Sequence, residues 1–152
     1  MNSLLTSLTY LKSLFDLDTR VTTVIEGEGE EIDTYKTNQY PLVNLSIGTS
    51  TVGIGEVKHQ FVAHVLTQRS FSKVASSDRF NKNDNKLTNL DLTSDILIKA
   101  ITNLKLKNNT SDIELSNEPT LEAIKFDFLN TLDGYSCTFE LSVTNNDDVC
   151  SY

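Results

Sequence analysis

The chain has 152 residues, of which 38% are hydrophobic and 22% are charged, and its formal net charge is −8 at pH 7. This length predicts one domain spanning residues 1–152, with enough chain to build a hydrophobic core. The acidic balance disfavours a free-standing nucleic-acid-binding protein, because such proteins usually carry a basic surplus. It would suit the wall of a channel through which DNA slides without sticking.

Neither a targeting segment nor a disulfide framework is indicated. The N-terminus lacks the basic region and the small-residue cleavage site of a secretory signal, and no apolar run reaches the ~20 residues of a membrane-spanning helix. The two cysteines, Cys137 and Cys150, are too few for a disulfide framework. We therefore expect folding in a reducing cytosol, with Cys137 as a buried thiol on the apolar face of its strand.

The N-terminal segment is predicted to form an amphipathic helix over residues 3–15, which Asn2 or Ser3 can cap. Its apolar residues recur at helical spacing: Leu4, Leu5, Leu8, Leu11, Leu14 and Phe15. Such a stripe predicts a helix that covers a sheet. Docking of the stripe onto a neighbouring subunit is the alternative.

The segment that follows is acidic, with seven carboxylates and one arginine between Asp16 and Asp33. Residues 21–25 have the composition of a strand, and the glycine-containing stretch 26–33 predicts an acidic loop. A calcium loop needs oxygen ligands at fixed alternating positions and a closing bidentate glutamate. The stretch has carboxylates at 26, 28 and 30 but lacks that glutamate, so we expect a solvated loop and no metal.

Two further strands are predicted before the middle of the chain. Residues 43–47 alternate apolar and polar side chains. Pro41 precedes them at a position where no backbone N–H is needed for a hydrogen bond within the sheet. Residues 48–55 predict a turn region. Residues 57–68 carry apolar side chains on both faces, which is typical of a central strand covered from two sides.

Residues 69–86 have the opposite charge, with five basic and two acidic side chains. This Ser- and Asn-rich segment predicts an extended arm or a long loop, and a solvated connection is the alternative. Isolated aromatic residues in a polar segment favour an arm that orders on a partner subunit. Five charges in eighteen residues are too few to favour DNA contact.

A second helix is predicted over residues 85–105 by an apolar face made of Leu87, Leu90, Leu97, Ile98, Ala100, Ile101 and Leu104. A short strand around residues 113–115 follows. A long hairpin over 118–143 then closes the sheet, with Asp133-Gly134 as its turn. The predicted fold class is α+β, an antiparallel or mixed β-sheet packed by two helices.

No residue pattern specifies a reaction. His59 and His64 lie five residues apart in one predicted strand, which places them on opposite faces and disfavours a shared metal. Gly53-Ile54-Gly55 lacks the third glycine of a phosphate-binding motif, and no glycine-framed nucleophile is present. We therefore expect no enzyme, no cofactor and no metal. A hydrolase that gathers His64 with a carboxylate and a hydroxyl is the alternative.

Several short motifs carry a resemblance to one protein family. They are the stretch from Ile32 to Val43, the stretch from Asn117 to Glu122, the Leu132–Tyr135 stretch and the polar tail from Asn145 to Cys150. Together with the N-terminal helix they resemble small virion proteins of tailed phages that infect Bacteroidetes, including the crAss-like phages. The resemblance covers most of the chain and is weakest over 69–86. The family's Asn-Pro pair is altered here, since Glu118 precedes Pro119.

The resemblance implies a tail-terminator or tail-completion protein in the phage neck, which joins the portal-capped head to the tail. It implies a tail-terminator-like fold, location in the virion and assembly in the host bacterial cytoplasm. The implied partners are copies of the same chain in a closed ring of six or twelve, with twelve favoured, and the adjacent neck and tail proteins. DNA would pass through the lumen without specific binding, and no membrane would be involved.

A closed ring needs head-to-tail contacts between subunits. We expect the basic 69–86 segment of one subunit to meet the acidic loop of the next. The candidate interface residues are Arg69, Phe71, Lys73, Arg79, Phe80 and Lys82 on the first, and Glu28, Glu30 and Glu31 on the second. The alternative from another functional class is a small cytosolic adaptor or anti-host protein that binds one protein partner.

Overall fold

The computed structural model describes residues 3–28, 40–70, 77–106, 113–127 and 132–144. Within these ranges the chain forms two helices and six strands. In chain order they are α1 (Ser3–Asp16), β1 (Thr23–Glu26), β2 (Leu42–Val52), β3 (Glu56–Gln68), α2 (Lys86–Leu106), β4 (Ile113–Leu115), β5 (Leu121–Asp127) and β6 (Leu132–Thr144).

The six strands form one mixed sheet in the order β1-β2-β3-β6-β4, and β5 also pairs with β6, on the same side as β4. β1 runs parallel to β2, whereas every other pair is antiparallel. Both helices pack on one face of this sheet. The predicted α+β class, a sheet packed by two helices, is confirmed.

The core lies between the helices and alternate residues of the central strands. Phe61, Ala63 and Val65 of β3 are fully buried there, beside Phe139 of β6. The ring of Phe15 from α1 meets Phe139 edge-on, with the ring centroids 6.3 Å apart, an arrangement that aromatic pairs favour. Cys137 lies in the same layer, as predicted. Its burial raises the pKa of the thiol to about 11.

The opposite face of the sheet carries a smaller apolar cluster. Leu66 of β3 and Leu132 of β6 are fully buried, and Tyr40 and Ile124 pack against them. β3 is therefore a central strand with apolar cover on both faces at this end, which is the arrangement predicted from its composition.

The buried stripes of the two helices differ from those predicted. In α1, Leu11, Leu14 and Phe15 are buried, but Leu5 is 62% exposed. In α2 the buried residues are Asn89, Thr93, Ile96, Leu97, Ala100 and Leu104.

The α2 stripe includes two polar residues because both find internal hydrogen-bond partners. The amide Nδ2 of Asn89 donates to the carbonyl of Gln68 (3.2 Å), and the hydroxyl of Thr93 donates to the carbonyl of Asn89 (2.7 Å). A satisfied polar group can be buried at little cost. A prediction that considers only apolar side chains therefore places the buried face of α2 at the wrong angle around the helix. Ile98, which was expected to be buried, is 51% exposed.

The predicted turn at Asp133-Gly134 is wrong. Both residues lie inside β6, where Asp133 pairs with Thr67 and Gly134 pairs with Leu66. A Cβ atom on Gly134 would lie 1.9 Å from the carbonyl oxygen of Val65, so glycine is required by the close approach of two backbones and not by a turn. The connection between β5 and β6 falls at 128–131, outside the described residues.

The predicted turn region over 48–55 is also too long. β2 continues to Val52, and the connection to β3 is only three residues, Gly53 to Gly55. The pairing shifts from Ile47 with Phe61 to Ser50 with His59. This β-bulge inserts one extra residue into β2, which interrupted the alternation on which the prediction relied.

The start of the predicted acidic loop belongs to the sheet. Glu26 is the last residue of β1. Gly27 is buried, its N–H donates to the carbonyl of Leu45, and its own carbonyl accepts hydrogen bonds from Asn44 and Ser46. Residues 29–33 of that prediction lie outside the described residues.

Replacing Gly134 with alanine should destabilise the protein strongly. The added methyl group must push the backbones of β3 and β6 apart, and overpacking of this kind costs ~1–3 kcal/mol or more. The matched control is Gly53→Ala, whose Cβ would meet its nearest neighbour, the carbonyl oxygen of Glu56, at an ordinary 3.6 Å. Urea unfolding measures the free energy of unfolding of both variants. Equal stability of the two variants would contradict the close-approach explanation.

Candidate functional site

A buried ion pair anchors the start of the 69–86 segment. Arg69 follows β3, and its guanidinium donates through Nε to one carboxylate oxygen of Asp133 (2.7 Å) and through a terminal nitrogen to the other (2.6 Å). The Asp133 side chain is fully buried and that of Arg69 is 11% exposed. The hydrogen bond from Arg69 to this carboxylate raises the pKa of Arg69. The candidate residue Arg69 is therefore bound within its own chain.

The two ends of the segment are held together next to this ion pair. The N–H of Ser70 donates to the side-chain oxygen of Asn85 (2.7 Å), and the N–H of Asn85 donates to the carbonyl of Ser70 (3.3 Å). Ser70 and Asn85, which flank residues 71–84, therefore lie side by side on the body of the protein. Phe71 and Lys73 lie outside the described residues.

The side chain of Asp78 organises the described tip of this segment. Its carboxylate accepts hydrogen bonds from the N–H groups of Phe80 (2.9 Å) and Asn81 (3.3 Å) and from the Asn81 side-chain amide (2.9 Å). The bond from the Asn81 amide is the largest cause that lowers the pKa of Asp78. A further bond, from the N–H of Lys82 to the Asp78 carbonyl (2.9 Å), closes the turn.

The tip formed by Arg79, Phe80 and Lys82 carries one aromatic ring and two cations. Phe80 is 79% exposed, and Arg79 and Lys82 are exposed as well. Lys82 has a positive φ of 56°, a conformation that few residues other than glycine adopt. The Asp78 bonds hold this turn in shape, so the basic-aromatic tip is a formed surface feature.

One of the three acidic candidates lies in the described part of the chain. Glu28 is exposed, two residues beyond the end of β1, whereas Glu30 and Glu31 lie outside the described residues. Among the described side chains, no ion pair joins Glu28 to Arg79 or Lys82 within one chain.

The two histidines lie on opposite faces of β3, as predicted. His59 faces the helices and is 5% exposed, with Ser3 at 2.9 Å from its Nε2 and Ser50 at 2.6 Å from its Nδ1. These contacts tie the N-terminus of α1 to β2. The β-bulge brings Ser50 opposite His59, and sequence reasoning missed both serines because neither lies in a recognisable motif with the histidine.

His64 lies between Asn44 of β2 and Ser136 of β6. Its Nδ1 and the side-chain oxygen of Asn44 are buried and have no hydrogen-bond partner among the described residues. Burial lowers the pKa of both histidines. Within the described residues neither histidine bonds a carboxylate, the group that orients a histidine as a general base in a catalytic triad.

Within the described part of the chain, neither histidine lines any of three cavities. The most voluminous of the three, about 460 Å³, is an open depression along α1 beside Leu5 and Tyr10. A cleft of about 300 Å³ lies between the C-terminal half of α1 and the middle of α2, and another, of about 210 Å³, lies where β4 and β5 meet β6. The described residues contain no group of three His, Cys, Asp or Glu side chains that could hold a metal ion. Of the described helices, neither is long and apolar enough to span a membrane.

No protein-family model matches the chain, and none of the curated proteins matches it.

Replacing only one member of the Arg69–Asp133 pair should lower the free energy of unfolding far more than replacing both. Asp133→Asn leaves a mostly buried guanidinium without its counter-charge, which costs ~3–5 kcal/mol in comparable pairs. The double variant Arg69→Met/Asp133→Leu should recover most of that loss. Chemical denaturation of Arg69→Met, Asp133→Leu and their double variant measures the coupling between the two side chains.

The exposed pair between Lys12 and Asp16 is the matched control. Lys12→Met should change stability by ~0.5 kcal/mol or less, because exposed pairs contribute little. A cost of similar size for Asp133→Asn would show that burial adds nothing to the Arg69–Asp133 pair.

Acidification should weaken the fold through the two histidines. Their folded-state pKa lies below the ordinary 6.5, so the unfolded chain takes up protons first as the pH falls. The two histidines therefore make their full contribution to the free energy of unfolding above pH 6.5, their ordinary pKa. This contribution is lost as the pH falls through the folded-state pKa. Urea midpoints at about pH 7.5 and about pH 5.5 should fall more for the wild type than for His59→Gln/His64→Gln. Equal falls would contradict this assignment.

Proposed function

We propose that this chain is a structural virion protein of a tailed phage, of the tail-terminator or tail-completion type. Copies of the chain form a ring in the neck that joins the portal-capped head to the tail. The sequence resemblance to such proteins supports this proposal, as does the α+β fold with helices on one face of the sheet.

The observation that carries the proposal is the basic-aromatic tip. An exposed phenylalanine beside an arginine has the composition of a protein-protein contact, because aromatic residues and arginine are enriched at interfaces. The Asp78 hydrogen bonds and the joined ends at Ser70 and Asn85 hold this tip before any partner binds. A preformed contact loses less conformational entropy on association than a flexible one.

Charge supports a second copy of the chain as the partner. The chain carries a net charge of −8, so another copy, taken as a whole, attracts the Arg79 and Lys82 cations. Glu28 is exposed at the far end of β1 and offers an acidic contact for that tip. A tip that meets a different surface on the next subunit makes a head-to-tail contact, which closes into a ring when the rotation between subunits permits.

The same charge agrees with a lumen through which DNA passes. A net negative wall repels phosphate groups and prevents adhesion during passage. Six or twelve copies are the expected ring sizes, with twelve favoured, and assembly takes place in the host bacterial cytoplasm before the ring joins the adjacent neck and tail proteins.

Reversing the charge of the tip should abolish the ring. Arg79→Glu/Lys82→Glu places two carboxylates against an acidic neighbour, and a loss of ~1.4 kcal/mol per contact already weakens association tenfold. Native mass spectrometry at low salt should show monomers in place of rings. The matched control, Lys12→Glu/Lys99→Glu, makes the same charge change on exposed helix positions and should keep the ring.

Phe80→Ala tests the aromatic part of the same contact and should weaken association by ~2 kcal/mol if Phe80 is an anchor residue. Rings that survive both tip variants at low salt would overturn the proposed contact. A stable monomer that mass spectrometry does not find in purified virions would overturn the neck function and favour the small adaptor or anti-host protein.

A further inference from the structure

The outer edge of β2 is left unpaired along most of its length. β1 pairs only with residues 42–45 of β2, and in the described part of the chain no strand lies beside residues 46–52. An unpaired edge exposes a row of backbone N–H and C=O groups that can bind another strand.

This edge lacks the charged side chains that usually protect such strands. All ten residues from Ser46 to Gly55 are uncharged, in a chain whose charged share is 22%, and none of them is proline. Exposed apolar side chains mark the same stretch: Ile47 is 39% exposed, Val52 is 75% exposed and Ile54 is fully exposed. Natural proteins protect long edge strands with lysine or proline, so an unprotected one indicates a site of strand pairing.

A second free edge lies on the other side of the sheet. β5 pairs with β6 on one side only, and its outer side has no strand beside it within the described residues. β5 is seven residues long, which equals the length of the free 46–52 edge of β2. β5 contains Glu122, Lys125 and Asp127, a net charge of −1, and the uncharged 46–52 edge has no like charge to repel it.

The strand directions of the two edges are complementary. β2 is antiparallel to β3, β3 to β6 and β6 to β5, so β5 runs opposite to β2. When a second copy continues the same sheet, its β2 therefore lies antiparallel to the first copy's β5. Antiparallel pairing is the slightly more stable kind, and the outward-pointing backbone groups along the shared length gain partners.

We propose that the 46–52 edge of one copy pairs with the β5 edge of the next copy, which continues the sheet head to tail. This inference rests on the proposed ring and identifies a strand contact within it. The contact is heterologous, as ring closure requires. It adds to the contact of the basic-aromatic tip, because the two use different surfaces.

The geometry of the edges also agrees with closure. The free part of β2 lies level with residues 138–143 of β6, through its pairing with β3, whereas β5 lies beside residues 132–137 of β6. Pairing such diagonally placed edges staggers each copy relative to the last. Closed rings of strands need this stagger and the strand tilt that goes with it, and the β2 bulge adds the local twist common at barrel rims.

Disulfide cross-linking between two different variants tests the pairing directly. Every variant carries Cys150→Ser, and Cys137 is buried. Thr51→Cys and Val52→Cys place a thiol on either face of β2, and Glu122→Cys and Ala123→Cys do the same on β5, all at exposed positions. Each β2 variant is mixed with each β5 variant under mild oxidation and compared with each variant alone.

The expected result is a disulfide dimer in at least one mixture, at a yield at least tenfold above that of either variant alone. The control Ile98→Cys, on an exposed face of α2, should give no such dimer with any β2 variant. Cross-linking of a β2 variant with itself at equal yield would show two-fold β2–β2 pairing and overturn the proposal. Absence of cross-links in all four mixtures would also overturn it.

A blocking variant separates this proposal from the proposed function. Val52→Lys adds the charge that protected edges carry and should reduce ring formation at least tenfold, whereas Ile98→Lys should leave it unchanged. Rings that form without any β2–β5 cross-link would contradict the edge pairing but not the neck function. Efficient cross-links in a protein missing from virions would keep the edge pairing and remove the neck function.

Discussion

The pairing of β3 with β6 is the constraint on which the rest of the structure depends. Thirteen residue pairs join them without a shift, from Glu56 with Thr144 to Gln68 with Leu132. β2 attaches to one of these strands, β4 and β5 attach to the other, and both helices pack on residues from the pair. A slip of one residue would turn every buried side chain to the wrong face, so the long register specifies the core.

One end of the β3–β6 pairing contributes both to stability and to the surface proposed for subunit contact. Gly134 lets the two backbones approach, and Asp133, the residue before it, binds Arg69 at the point where the chain leaves β3. The same ion pair therefore closes the ladder and holds the base of the segment that presents Phe80. A buried ion pair of this kind contributes little net stability, because both charges lose their hydration. Here its directional hydrogen bonds position a loop, and hydrophobic packing is not directional enough to do so.

Charge distinguishes the two surfaces that we propose for association from the rest of the chain. The net charge of −8 makes random contact between copies unfavourable. The basic-aromatic tip is attracted to that acidic surface, and the uncharged 46–52 edge avoids the repulsion. These are the two contacts proposed for the ring, one electrostatic and aromatic, the other through backbone hydrogen bonds. Together they give a subunit two different faces, which is what head-to-tail closure demands.

The sequence by itself determined the elements whose signals are local. Apolar periodicity placed α1, α2 and β3 within a few residues, and the buried position of Cys137 followed from strand alternation. Only the tertiary structure decided where Asp133-Gly134 belongs, which face of α2 is buried, and which serines hold His59. Each of these depends on a partner distant in the chain: the Val65 carbonyl, the Gln68 carbonyl that binds Asn89, and Ser3. Local patterns record propensity and periodicity, whereas close backbone approach and the satisfaction of buried polar groups exist only once distant segments meet.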